Sequence, residues 1–284
     1  MKKRSTKEIK LQAKKALQGH VGTVLLGLLA VYGLNMLGTI LSTNLFSGTS
    51  PLDLVLSEVF MLVVSLIVGI ISAGFGYMLL NISRGKEFSL GDLGYFFKNQ
   101  PDRVIIAGFV LALIQIVTAI PYYYVSFTTD PGLTVDSQIK WLSMTLGLLA
   151  VSTLLNFLIS LPFAMTYFLM ADDTELGGLQ ALKESARLMK GNLWRYVKLN
   201  LSFVPLLLLS VFTFYIALFW IMPYMEMSMV AFYRDLDGEL DYRLPGNEGF
   251  GSFHNWTNDS GNGYDTENND GYRNDSEDDY NSEA

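Results

Sequence analysis

From Val21 to Leu52 the chain runs without a single charged side chain. A helix needs roughly 20 apolar residues to cross the hydrocarbon core of a bilayer, so this run is long enough to do so. Four more uncharged or nearly uncharged runs follow: Val59–Ser83, Val104–Tyr122, Trp141–Ala171 and Leu199–Tyr233, the last broken only by Glu226. Half of the residues are apolar and the mean hydropathy is +0.30, a composition that excludes an ordinary soluble globule. The runs therefore predict an all-α, polytopic helical membrane protein.

Charge sets the orientation. The formal net charge of -7 averages two unlike parts, because Met1–Arg234 carries +5 and Asp235–Ala284 carries -12. Before the first run, Met1–Gly19 holds seven basic residues and one acid, Glu8, whereas Ser47–Pro51 after it holds no charge. Lys and Arg stay on the cytoplasmic side, so the N-terminus is expected inside a cell (plasma) membrane, on an uncleaved signal anchor. The segment Phe127–Ile139, with Asp130 and Asp136 and no basic residue, reads as an external loop.

Polar segments between the runs repeat one design. Ser5 with Glu8 has capping-box spacing, and Ile9, Ala13, Ala16 and His20 follow on one face. Ser89 with Asp92 repeats that spacing ahead of Leu90, Leu93 and Phe97. Leu179, Leu182, Ala186, Met189 and Leu193 form a third apolar stripe. These predict three cytoplasmic interfacial helices near Thr6–Gln18, Leu90–Asn99 and Gly178–Lys190, with Phe96 and Phe97 at head-group level. Lys7, Lys10, Lys14, Lys183, Arg187 and Lys190 then meet anionic lipid, the expected partner.

The run Leu199–Tyr233 is too long for one crossing, since 35 residues of helix reach about 52 Å against a core of roughly 30 Å. A hairpin near Thr213–Ala217 resolves the excess and leaves Arg234 inside. The expected organisation is a basic amphipathic helix over 1–20 and a membrane domain over 21–236. About six transmembrane helices lie near 21–46, 59–83, 104–122, 141–171, 198–213 and 217–236. An acidic, disordered tail follows over 237–284, with Tyr264, Tyr272 and Tyr280 as contact points for a protein partner. Ser65, Gly69 and Ala73, spaced by four, mark a face of the second span for close helix packing.

The stretch Ala181-Leu-Lys-Glu-Ser185-Ala-Arg187-Leu-Met-Lys-Gly191-Asn, followed by Pro223-Tyr224 and Ala231-Phe-Tyr233-Arg-Asp-Leu, carries a resemblance. With Lys7-Glu-Ile-Lys10 through Ala16-Leu17 and Gly19-His20, it resembles a bacterial multipass integral membrane family, the domain of unknown function numbered 975. The likeness covers about Met1 to Leu236, and its signature positions here include Gly191, Pro223, Tyr224 and Tyr233. The family usually has glycines between its last two apolar segments, where this chain reads Phe212-Thr-Phe-Tyr-Ile-Ala217. The resemblance implies membrane location and fold, and implies no activity.

Chemistry is sparse. There are no cysteines, which excludes disulfides and thiolate sites, and only His20 and His254 offer imidazole. No phosphate loop, zinc motif or nucleophile elbow occurs, so no enzyme, cofactor or metal site is expected, and the basic segments lack the aromatic interleaving of a nucleic-acid surface. Polar residues inside spans are the remaining candidates: Asn35, Gln115, Asn156 and Glu226. Their scarcity predicts a non-enzymatic scaffold or modulator of envelope proteins or lipids. The alternative is a transporter or permease component for a small solute, which requires those polar groups to converge at broken helices.

Overall fold

The computed structural model describes residues 3–47 and 50–242, and among them every regular element is helical. In chain order these are α1 (Thr6–Leu17), α2 (Val21–Leu45), α3 (Pro51–Arg84), α4 (Tyr95–Lys98), α5 (Pro101–Thr128), α6 (Val135–Ser160), α7 (Thr166–Asp172), α8 (Gly178–Met189), α9 (Leu193–Leu201), α10 (Val204–Phe212), α11 (Leu218–Leu236) and α12 (Glu239–Tyr242). Five stretches are long and apolar enough to cross a membrane: Val21–Leu45, Leu52–Arg84, Pro101–Ser126, Val135–Asp172 and Leu193–Phe212.

The helix starts follow their capping chemistry. Glu8 N donates to Ser5 Oγ at 3.3 Å and Ser5 N donates back to Glu8 Oε2 at 2.7 Å, closing the predicted box at α1. Ser50 caps α3 by accepting from Asp53 N, with Pro51 in the first turn, where a missing N–H costs nothing. Ser89 and Asp92 also form their box, yet the predicted helix over Leu90–Asn99 shrinks to a 3-10 turn, Leu90–Gly94, and the single turn of α4. Tight seating explains this. A Cβ on Gly74 of α3 would lie 2.3 Å from Leu93 O and 2.6 Å from Asp92 O, so the segment packs backbone against backbone. Phe96 is accordingly fully buried, not at head-group level, while Phe97 remains exposed.

Two zones differ in how they are held. At one end the termini of α3, α5, α7, α8 and α11 enclose α1 and a continuous apolar core. Here Ile9, Ala13, Met78, Leu79, Phe96, Met165, Met170, Met189, Phe203, Met227 and Phe232 are all almost wholly buried. We call this end the base. Away from it, the distal halves of α2, α3 and α5, together with α6, are thinly packed and expose Met36, Leu45, Leu52, Val117 and Leu154. Distal contacts mix polar and apolar pairs: Ser42 and Ser57 share a hydrogen bond of 2.8 Å, Tyr123 OH donates to Glu58 Oε1 at 2.6 Å, the Phe46 and Phe60 rings lie 5.9 Å apart, and Gly38 packs against Val64.

The three amphipathic segments belong to the base, and their apolar faces meet protein. α1 lays Ile9, Ala13 and Leu17 against α11 and α3. α8 buries Gly178, Ala181, Leu182, Ser185 and Met189, one step round from the predicted stripe, leaving Leu179 62% exposed. Close approach dictates the rotation, because a Cβ on Gly178 would stand 2.2 Å from Arg103 O of α5, so the small side of α8 must face inward. Ser185 repairs the break that Pro162 makes between α6 and α7. Its Oγ donates to Pro162 O at 2.8 Å and accepts from Met165 N at 3.1 Å, pairing two backbone groups freed there.

The last apolar run folds back on itself. Arg195 of α9 reaches Asp235, Tyr196 meets Phe232 and Phe203 meets Tyr224, so α9–α10 runs antiparallel to α11. The reversal lies in Thr213–Ala217, where Phe214 (φ 49°) and Tyr215 (φ 64°) take the left-handed conformation. Both lie in the stretch Phe212–Ala217, where the family resemblance leads one to expect glycines, and a left-handed side chain costs roughly 1–2 kcal/mol per residue. α12, with Glu239 buried, occupies the beginning of the segment expected to be a tail from 237 onward. The rest of that tail, and Tyr264, Tyr272 and Tyr280 with it, lies outside the described residues.

Candidate functional site

A cavity of about 420 Å³ opens among α2, α3, α5, α6, α7 and α9. Three of the four polar residues singled out within the apolar runs line it: Asn35 from α2, Gln115 from α5 and Asn156 from α6. Ser65 and Ser72 of α3, Ser160, Tyr167 and Tyr196 complete its polar wall, and no charged side chain contributes to the lining. The floor is the helix break at Leu161–Phe163.

Small residues create the space. Gly69 and Gly108 stand where larger side chains would meet the Tyr167 hydroxyl, since a Cβ on Gly69 would be 3.1 Å and one on Gly108 3.7 Å from that oxygen. Of the predicted packing face, Gly69 and Ala73 are buried, and Ser65 turns its hydroxyl back to Leu62 O at 2.7 Å. Asn35 Nδ2 donates within its own helix to Val31 O at 3.3 Å, and Asn156 Nδ2 donates to Thr118 Oγ1 at 3.2 Å. Among the described residues no donor reaches either amide carbonyl oxygen, and the Gln115 side chain has no hydrogen-bond partner. The site offers amide and hydroxyl groups of both polarities and no net charge, so it is suited to a neutral hydrogen-bonding guest.

Glu226 lies outside this lining. It is half-buried on α11, within electrostatic reach of Tyr32 of α2 and Tyr196 of α9.

Sequence reasoning did not find the second polar assembly, an ion-pair network in the base. Arg84 pairs with Asp172 at 2.6 Å and with Glu239 at 2.9 Å, and Arg234 holds Glu239 at 2.8 Å while donating to Ser83 O at 2.6 Å. Asp235, its side chain 1% exposed, receives Arg4 at 3.1 Å and also Arg195. Arg4 further binds Asp241 at 2.9 Å. Burial raises the Asp237 carboxyl to about 6, aided by the nearby charges of Asp172 and Glu239 and opposed by Arg84. Burial works in the same direction on Glu239, but hydrogen bonds from Arg234 and Arg84 outweigh it and hold that carboxyl below its ordinary value. The sequence signal for this network is position: Arg84, Asp172, Arg234 and Asp235 each follow the end of an apolar run.

The signature residues serve the base. Tyr233 OH donates to Asp172 Oδ2 at 2.9 Å while its ring stacks on Phe168, and Tyr224 OH donates to Lys10 O at 3.3 Å. Pro223 is buried in α11, and Gly191 (φ 78°) turns the chain between α8 and α9. Of the residues expected at a lipid surface, Lys7, Lys14, Lys183 and Lys190 are exposed, and Arg187 is exposed and paired with Glu184 at 2.7 Å. Lys10 turns inward, donating to Ser202 O at 2.9 Å above the Phe203 ring. Among the described residues, no cluster of acidic or histidine side chains could hold a metal ion.

Neither a curated protein nor a solved structure matches the chain. One family model does, over residues 1–239 and under the description "Protein of unknown function (DUF975)", and the chain belongs to that family.

Proposed function

We propose that the chain is a non-enzymatic, multi-pass protein of the bacterial plasma membrane that binds a small neutral solute in the polar cavity and acts as a transporter or permease component. The observation that carries this reading is the convergence of Asn35, Gln115 and Asn156 beside the helix break at Pro162. Secondary transporters place their sites at such discontinuities, half-way along their spans. Asn35, Ser65–Ser72 and Gln115 each stand near the middle of a membrane-length stretch.

Six crossings with the N-terminus cytoplasmic fit the same arrangement. α9 begins and α11 ends at the base, so the last run leaves and returns on one side. The basic residues of the base, with exposed Leu11, Leu179 and Trp194 between them, suit contact with anionic lipid. A scaffold or modulator would need no polar cavity.

The chain has no cysteine, so single substitutions can be labelled one at a time. In intact cells, Ser72→Cys should react with a small membrane-impermeant thiol reagent, whereas Leu154→Cys, on the outer face of α6, should not. An inert Ser72→Cys in both intact cells and inverted vesicles would remove the cavity as a solute site and return the reading to a scaffold. Leu133→Cys should label only from outside and Lys14→Cys only from inside; labelling of both from one side would overturn the orientation.

A further inference from the structure

Glu226 lies on α11, which runs antiparallel to α9, the helix that brings Tyr196 to the cavity. Tyr196 is both a lining residue and one of the two groups within electrostatic reach of the Glu226 carboxylate, the other being Tyr32. Among the described residues, no hydrogen-bond donor and no cation pairs with that carboxylate. The surrounding charges are engaged elsewhere. From α1, Lys10 is committed to Ser202 O and the Phe203 ring, and the sequence of α10 has no titratable residue. On α3, Tyr77 stacks on Tyr95 and Arg84 pairs with Asp172 and Glu239, while Asp53 and Glu58 belong to its far end. On α9, Arg195 is bound to Asp235 and Lys198 lies over Trp194, and on α12 Glu239 and Asp241 are bound to arginines. On α2, Tyr32 is the one titratable residue.

An unpaired acid in the body of a membrane protein marks a proton or ion pathway by default. A cation site requires several oxygen ligands, and among the described residues no group of acidic or histidine side chains forms one at Glu226. The local helix is also yielding. Pro223, one turn earlier, cannot donate to Phe219 O, and Met222, Met225, Met227 and Met229 flank the acid along the helix with adaptable side chains.

We infer that Glu226 is a proton-binding group whose protonation governs access to the polar cavity through Tyr196. This rests on the solute-site reading above. A proton taken from water converts the carboxylate to the neutral acid, removes the charge beside Tyr196 and returns to water when the carboxylate forms again. Occupancy of the cavity is thereby linked to proton uptake, and transport through it is proton-coupled.

The test combines two measurements on the full chain in lipid nanodiscs. Infrared difference spectra between acidic and alkaline buffer should show a protonated-carboxyl band that Glu226→Gln abolishes and Glu226→Asp restores. In parallel, labelling of Ser72→Cys by a small thiol reagent, referred to Leu133→Cys to cancel thiol ionisation, should change about three- to tenfold across the titration. Glu226→Gln should hold that rate at its acidic value while leaving Leu133→Cys labelling and monodispersity unchanged. Labelling of Ser72→Cys that ignores pH, or depends on pH equally in Glu226→Gln, overturns the role of Glu226 and leaves the cavity standing. A band unaffected by Glu226→Gln overturns it as well. An unreactive Ser72→Cys at every pH defeats the cavity reading itself.

Discussion

The base and the distal half are built from the same kind of helix and held by different forces. In the base, arginines and carboxylates from five elements meet around an apolar core, and backbones approach closely at Gly74 and Gly178. In the distal half, helices meet without ion pairs among the described residues, through contacts such as Gly38 with Val64 and Phe46 with Phe60, and Thr145 and Ser152, though buried, have no hydrogen-bond partner there. Lipid is as apolar as leucine, so apolar side chains there gain little from meeting one another. On the proposed reading, stability and solute binding are placed apart: the base carries the ion pairs and most of the apolar core, and the polar cavity lies where the long helices meet α7 and α9.

Substitutions can break that contrast. Arg234→Ala should do most damage, because it strips a buried guanidinium from Ser83 and Glu239 and leaves an acid short of its partner; a loss of about 3–5 kcal/mol is expected in detergent unfolding. A loss below 1 kcal/mol, about the value of an exposed pair, would mean that the network does not hold the base. Glycines sharpen the comparison by sign. Gly74→Ala should destabilise by about 1–3 kcal/mol, since its Cβ would meet backbone. Gly147→Ala on α6, with nothing within 4 Å, should stabilise by about 0.5–1 kcal/mol. Equal effects from the two would erase the distinction between zones.

At the hairpin tip, Phe214→Gly should gain about 1 kcal/mol by relieving a left-handed residue, measured as a rise in unfolding midpoint. The smallest effect concerns pH. Asp237 binds its proton more tightly in the folded state, about 6 against an ordinary 3.8, so the folded chain holds more protons than the unfolded one between these values. Its contribution is therefore present at low pH and is lost as pH rises through that window. Asp237→Asn should flatten this part of the pH–stability curve and add up to about 1 kcal/mol at neutral pH, after allowance for solvent screening. An unchanged curve would show that Asp237 is solvated in both states.

Much of this architecture was legible in the chain because it depends on local spacing. Ser5 with Glu8 and Ser89 with Asp92 close their boxes through bonds three residues apart, and the first three expected spans each correspond to a long helix, although α3 begins at Pro51, eight residues ahead of the expected span. Asn35, Gln115 and Asn156 were identifiable one by one, since a polar residue in an apolar run is conspicuous. That they share a cavity, and that Tyr196 of its lining lies within electrostatic reach of Glu226, depends on how helices pack, which spacing within one helix does not specify. The rotation of α8 shows the same limit: apolar periodicity favoured Leu179, but Arg103 O allowed only Gly178 to approach. The network was least legible, because Arg4 and Asp235 are partners separated by 231 positions.

That separation has a consequence for biosynthesis. Arg4 cannot meet Asp235 until almost all of the described chain has left the ribosome, so the part of the α1 face that packs on α11 stays uncovered, with α3 as an earlier partner, while successive spans are inserted. Whatever shelters that face during the delay, whether lipid or an insertion factor, is displaced by α11 when synthesis is nearly complete. The first helix made is thus among the last to be seated, and a chain halted before α11 would present its hydrophobic face to quality control.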